Sequence, residues 1–240
     1  MKEQLETIPV WDGLKANSEC FICDLMEKAE EDSLNYYLGP AVMVPEIRVE
    51  INRVGFCPEH FKALSEKNKA QPLSLVCDTF YEESKKIYRP SFDSISKASS
   101  PRKALKAFAS LEEQIKKREK GCLVCSHMEK RLERYCETVA ALFEEDSSFR
   151  EELERSQGFC THHTIALVHY AQNVLKGDNL VSYIKLLSLL LEKNLDRVQK
   201  DAWWMSQKYK SENRDKPWNG CEDAHHRAVL KITGKARLLT

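Results

Sequence analysis

The chain has 240 residues, 42% of them hydrophobic and 31% charged, a balance ordinary for a globular protein with a packed core. Lysine plus arginine and aspartate plus glutamate both number 37, so no global field steers the molecule toward nucleic acid or an anionic membrane. The most apolar window, Leu180 to Leu191, is 12 residues long and interrupted by Lys185, too short to cross a bilayer.

Met1 to Val10 carries alternating charges and lacks the apolar core of a signal peptide, which predicts a cytoplasmic protein. In that compartment thiols are kept reduced, so the nine cysteines argue for metal ligation over disulfides.

After a short lead containing Pro9 and Gly13, an amphipathic stretch from Asp24 to Leu38 predicts a helix that Gly39 and Pro40 end. Pro45 to Val54 predicts a second, opened by proline and closed by Gly55. A third starts at Cys57-Pro58-Glu59-His60 and runs to about Lys67, and a fourth follows Gln71-Pro72 with Leu73, Val76, Cys77, Phe80, Ile87 and Tyr88 at helical period. Arg89 to Pro101, with two prolines and five serines, reads as a linker. Beyond it a basic helix with Leu105, Phe108, Leu111 and Ile115 as its stripe runs from Arg102 to Lys120. Further helices are expected over 126–144, 148–156, 161–175, 180–209 and 222–232, and the face of Leu180, Val181, Ile184, Leu187, Leu190 and Leu191 suits packing between the halves. No alternating β-branched run competes, so the fold class is all-α.

Two short patterns each occur twice. Cys20-Phe-Ile-Cys23 is followed by Gly55-Phe56-Cys57-Pro58-Glu59-His60, and Cys122-Leu-Val-Cys125 by Gly158-Phe159-Cys160-Thr161-His162-His163. The CxxC pairs align at a shift of 102 residues, which also superposes Met26-Glu27-Lys28 on Met128-Glu129-Lys130. The GFC segments align at 103, superposing Ala63-Leu64 on Ala166-Leu167. Ligand spacing alone does not require those extra matches, so the chain carries an internal duplication.

Each copy supplies three cysteines and a histidine, the donor set of a closed tetrahedral zinc site. The sequence therefore predicts two Zn²⁺ ions, one held by Cys20, Cys23, Cys57 and His60 and the other by Cys122, Cys125, Cys160 and His163. Each would clasp the open end of a helical hairpin, since 33 residues between Cys23 and Cys57 allow one helix out and one back. An iron–sulfur cluster is the alternative occupant. The domains expected are 1–90, a linker at 91–101 and 102–240, packed as one compact body. Alignment with Glu59 favours His163 over His162 as ligand. His127 reads as a surface group, Cys77 and Cys136 as core, and Cys221 with His225 and His226 as a helix cap beside solvent-facing histidines.

The pattern resembles an uncharacterised bacterial, Firmicutes-type family of the domain-of-unknown-function kind. The resemblance rests on the opening Met1 to Val10, the two CxxC and two GFCxxH motifs, Leu38-Gly39-Pro40, Lys216-Pro217-Trp218 and Asp223-Ala224, and spans the chain almost end to end. It implies the all-α architecture and both sites and brings no reaction with it; Cys221 departs from the serine expected there.

No glycine-rich phosphate loop, nucleophile elbow, HExxH or dinucleotide fingerprint is present, and no catalytic or cofactor-binding residue is assigned. The expected function is a non-catalytic, zinc-stabilised scaffold that binds another protein. The alternatives are a thiol and zinc redox regulator, and a nucleic-acid module using Arg102 to Lys120 or the interleaved Trp203, Trp204, Lys208, Tyr209, Lys210, Arg214 and Trp218.

Overall fold

A computed structural model describes residues 6–235; the first five residues of the opening segment and the last five of the chain lie outside it. Among the described residues there is no strand, and the helices are α1 (Thr7–Lys15), α2 (Phe21–Tyr37), α3 (Pro45–Val54), α4 (Pro58–Glu66), α5 (Ala70–Ser96), α6 (Pro101–Glu119), α7 (Leu123–Glu145), α8 (Ser147–Arg155), α9 (Thr161–Val174), α10 (Gly177–Lys208) and α11 (Ala224–Thr233), with short 3₁₀ turns at Pro40–Met43 and Ser211–Asn213. The all-α expectation holds.

The chain forms two compact units, and they do not follow the expected division. One contains Met1–Ala29 with Met128–Thr240, the other Glu30–His127. The chain leaves the first within α2 and returns to it within α7.

In the second unit α3 and α4 pack on α5, and α5 pairs with α6. The stretch read as a linker is helical as far as Ser96. Pro90 lies inside α5 and forfeits one backbone donor. Serines there turn their hydroxyls back onto the helix, Ser94 to the Pro90 carbonyl at 2.7 Å and Ser96 to that of Asp93 at 3.0 Å. Ser91 is buried and donates to Gln114 of α6 at 3.3 Å, so tertiary pairing overrides a composition that looks like loop. Of the expected α6 stripe, Leu111 is buried, whereas Leu105 is 71% and Phe108 55% exposed.

In the first unit α10 packs on α9 and α11, α11 on α9, and α1 on α8. Pro9 and Gly13 predict an irregular lead where α1 stands. Pro9 falls in the first turn, where no intrahelical donor is needed. Gly13 admits the ring of Phe21, whose Cδ2 would stand 3.0 Å from an added Cβ. Trp11 then meets Phe149 of α8 edge to face at 5.1 Å. The inner face of α10 consists of Tyr183, Leu187, Leu190, Asn194 and Val198. Val181 and Ile184, expected on the packing face, are exposed.

One close approach joins the end of α3 to the start of α7. Leu123 donates its backbone N–H to the Gly55 carbonyl at 3.1 Å, and a Cβ on Gly121 would stand 2.5 Å from the Val54 carbonyl oxygen. Residues 54–57 and 121–123 therefore run against each other, backbone to backbone. Gly121→Ala is expected to destabilise the protein by about 2–3 kcal/mol, because the neighbour is main chain that no rotamer change can move. Gly177→Ala, strained only by its positive φ with nothing within 4 Å, should cost about 1 kcal/mol. Urea unfolding of the two variants measures the difference.

Candidate metal centres

Each GFCxxH motif is a short lever. Gly55 and Gly158 adopt φ of +77° and +67°, a region glycine enters without a Cβ penalty, and Cys57 and Cys160 follow as helix N-caps. Their backbones are nearly identical, φ −69° and ψ 164° against φ −68° and ψ 163°, so the duplication is visible in conformation as well as in sequence. Three residues on, His60 and His163 turn their Nδ1 atoms back toward the cap sulfur, at 3.1 Å and 3.3 Å. The CxxC motifs sit at the starts of α2 and α7, where Cys122 Sγ accepts from the Cys125 N–H at 3.4 Å.

The structure brings all eight predicted residues into two groups of three sulfurs and one nitrogen. The groups are Cys20, Cys23, Cys160 and His163 (site 1) and Cys57, His60, Cys122 and Cys125 (site 2). The expected pairing is thus wrong: each CxxC meets the CxxH of the other repeat. Neither hairpin is clasped at its own open end.

In site 1 the Nδ1 of His163 lies 3.4, 3.3 and 3.3 Å from the sulfurs of Cys20, Cys23 and Cys160, and Cys23 and Cys160 are 3.8 Å apart. In site 2 the Nδ1 of His60 lies 3.1, 3.2 and 3.4 Å from Cys57, Cys122 and Cys125, and Cys57 and Cys125 are 3.9 Å apart. A tetrahedral ion bonded at about 2.3 Å to sulfur and about 2.0 Å to nitrogen spaces its donors about 3.8 Å (sulfur to sulfur) and about 3.5 Å (sulfur to nitrogen). The donor set fits one such ion per site. All nine cysteines are free thiols.

The expected outward helix over 24–38 is about 22 Å long at 1.5 Å per residue and its return over 45–54 about 15 Å; in the second copy the lengths are about 28 Å over 126–144 and about 14 Å over 148–156. The connecting residues can span such differences in part, so helix lengths read from the sequence do not decide between the two pairings. The observed α7, with 23 residues, and α8, with 9, make the disparity larger.

The surroundings of the two groups differ. In site 1, Lys231 is 1% exposed and sits 3.1 Å from the Glu19 carboxylate while donating to the backbone carbonyls of Glu19 and Gln157. Burial lowers the Lys231 pKa, while Glu19 and the Cys20 sulfur hold it up. The Lys235 N–H reaches Cys23 Sγ at 3.4 Å, and its ammonium pairs with Asp24. Three thiolates on a divalent ion would leave one negative charge; the two lysines beside this group are each already paired with a carboxylate. Site 2 instead sets the Glu30 carboxylate 3.2 Å from His60 Nε2, the carboxylate–histidine arrangement that fixes ring orientation and raises ligand basicity. The residue aligned with Glu30 is Leu132, which has no acceptor to offer; neither His60 Nε2 nor His163 Nε2 makes an aligned hydrogen bond.

The thiols share protons unevenly. Hydrogen bonds from Cys20 and Cys23 bring Cys160 down to about 3, and burial pushes Cys20 well up. In site 2 burial works against both charges, yet the contact between Cys122 and His60 brings the thiol down to about 6 and the imidazole up to about 10. A cation that binds either group must displace the protons its thiols hold.

The other candidates fall elsewhere. His162 is half-buried outside the site 1 group, and Cys136 is buried. Cys77, expected in the core, is only half-buried. Cys221 is buried and donates to the Trp218 carbonyl, while the rings of His225 and His226 lie 3.9 Å apart. These three do not converge as ligands. Asp223, and not Cys221, stands at the N-cap position of α11. Lys208 is buried and donates to the carbonyls of Asn213, Arg214 and Lys216 at 3.0, 2.7 and 2.6 Å, with Trp218 beside it at 5.3 Å. The alternation of aromatic and basic residues therefore folds the segment after α10. No motif marks Glu19, Lys231 or Glu30, whose roles depend on contacts between distant segments.

A family model described as a family of unknown function, DUF6062, matches residues 1–238. The chain belongs to this family. No curated protein and no solved structure matches it. For this DUF6062 protein the site geometry must speak without a characterised relative.

The buried lysine gives a direct check on the first centre. Lys231→Ala leaves two backbone carbonyls and part of the Glu19 charge without their donor, and is expected to cost about 3–5 kcal/mol. Lys185→Ala, exposed on α10, should change stability by less than about 0.5 kcal/mol. Denaturant midpoints of the two variants supply the comparison.

Proposed function

We propose that the protein is a non-catalytic helical scaffold stabilised by two structural Zn²⁺ ions, one in each Cys3His group. The convergence of three sulfurs and one Nδ1 at tetrahedral spacing, twice, carries this reading. Four protein donors leave no position open for water or substrate, so zinc here would hold segments together and would not act as a Lewis acid. All donors of each group lie within 4.8 Å of one another; a polynuclear iron–sulfur cluster distributes its thiolates over several irons and needs a wider cage, which favours the single ion.

A protein partner is the reading that the surface supports best. The α5–α6 pair leaves Tyr81, Phe92, Leu105 and Phe108 exposed, an apolar surface of the kind that protein interfaces cover. The nucleic-acid alternative loses Lys208 to the interior, and Lys116 of the basic helix pairs with Glu112. No helix among the described residues is long and apolar enough to cross a membrane, and the free thiols accord with a cytoplasmic location.

Elemental analysis of purified protein should find two zinc ions per chain, and a strong chelator should lower both helical circular dichroism and melting temperature, since ligation energy is folding energy in such sites. Paired substitutions test the exchange. Cys57→Ser with Cys122→Ser touches one site and should leave one zinc; Cys20→Ser with Cys57→Ser touches both and should leave none. The reverse result would restore the pairing of neighbours in sequence.

A further inference from the structure

The two centres are built alike and shielded differently. All four donors of site 1 are buried, whereas in site 2 His60 and Cys122 are buried and Cys57 and Cys125 are half-exposed. Those two sulfurs lie 3.9 Å apart on segments 68 residues apart in the chain. Over site 1 lie α11 and the residues up to Lys235, with the Lys235 N–H on Cys23 Sγ and the Lys231 ammonium beside Glu19. Beside site 2 stands the Glu30 carboxylate, and beside site 1 stand Lys231 and Lys235 with their carboxylate partners Glu19 and Asp24.

Oxidation of cysteine follows access and thiolate character. Zinc ligation makes every ligand sulfur a thiolate, so access decides between the centres, and only site 2 has ligand cysteines that are not fully buried. Cys57 and Cys125 are also close enough that side-chain rotation can bring them to bonding distance.

Resting on the zinc reading, we propose that site 2 is a peroxide-responsive zinc-release switch and that site 1 is its inert anchor. One exposed thiolate attacks hydrogen peroxide, gains an oxygen as sulfenic acid and expels hydroxide. The other thiolate then attacks that sulfur, forming the Cys57–Cys125 disulfide and expelling a second hydroxide. Two electrons pass from the two sulfurs to peroxide, and two protons complete two waters. Zinc leaves because only Cys122 and His60 remain to hold it. A dithiol reductant reverses the bond by exchange, taking the disulfide onto itself, and the site takes up zinc again.

The experiment uses the full, zinc-loaded wild-type chain, so that no variant has to fold. Metal content is measured first: a protein without zinc, or one holding iron, overturns the zinc reading and the switch with it. Protein with two zinc ions is then treated with dilute hydrogen peroxide while a colorimetric chelator reports release, and differential alkylation with peptide mass spectrometry maps the thiols. One equivalent of zinc is expected to leave at least about tenfold faster than the second, with a Cys57–Cys125 bridge, with Cys20, Cys23 and Cys160 still reduced, and with zinc taken up again after reduction. Release of both ions at one rate, no release, or a first bridge between any other pair overturns the switch and leaves the zinc reading standing.

Discussion

The fold depends on an exchange of ligand pairs between two copies of one motif. Each CxxC finds the CxxH of the other copy, so site 1 joins residues 20 and 160 and site 2 joins residues 57 and 122. Each site lies wholly inside one compact unit; the first unit is built from two stretches far apart in sequence, and the second is the continuous stretch between them. Loop closure does not forbid this. Lengthening a closed loop costs only about 0.6 kcal/mol per doubling, whereas a structural zinc site contributes on the order of 10 kcal/mol or more. The pairing is decided by where rigid helices deliver their ends.

That is also why the sequence revealed the donors and not their partners. Residue type, spacing and duplication identify all eight, because coordination chemistry is local to each CxxC and CxxH. Partner choice depends on helix length and on the backbone approach of Gly121 to Val54, which is settled between segments. The helices at Pro45–Val54 and Thr161–Val174 were legible from proline, glycine and period. The serine-rich end of α5 was not, because Ser91 and Gln114 hold it in place from another helix. Among the aromatic and basic residues near Trp218, Lys208 holds the segment after α10, while Trp203, Tyr209, Lys210 and Arg214 stay exposed.

Duplication normally preserves what it copies, and here the two centres have diverged around an unchanged coordination frame. The cap dihedrals of Cys57 and Cys160 agree to within a degree, while the groups beyond the ligands have changed from a carboxylate at Glu30 to an apolar Leu132, and lysines have gathered on the other side. Metal geometry is stiff and constrains the ligands strongly; the electrostatics a few ångströms farther out can drift, and with them access and reactivity.

The crossed connectivity also bears on what half of this chain can do. A single copy of the motif carries one CxxC and one CxxH, and in this fold neither pair meets the other pair of its own copy. A fragment ending between the repeats keeps two donors of each centre and loses the other two, so half of the chain cannot complete either.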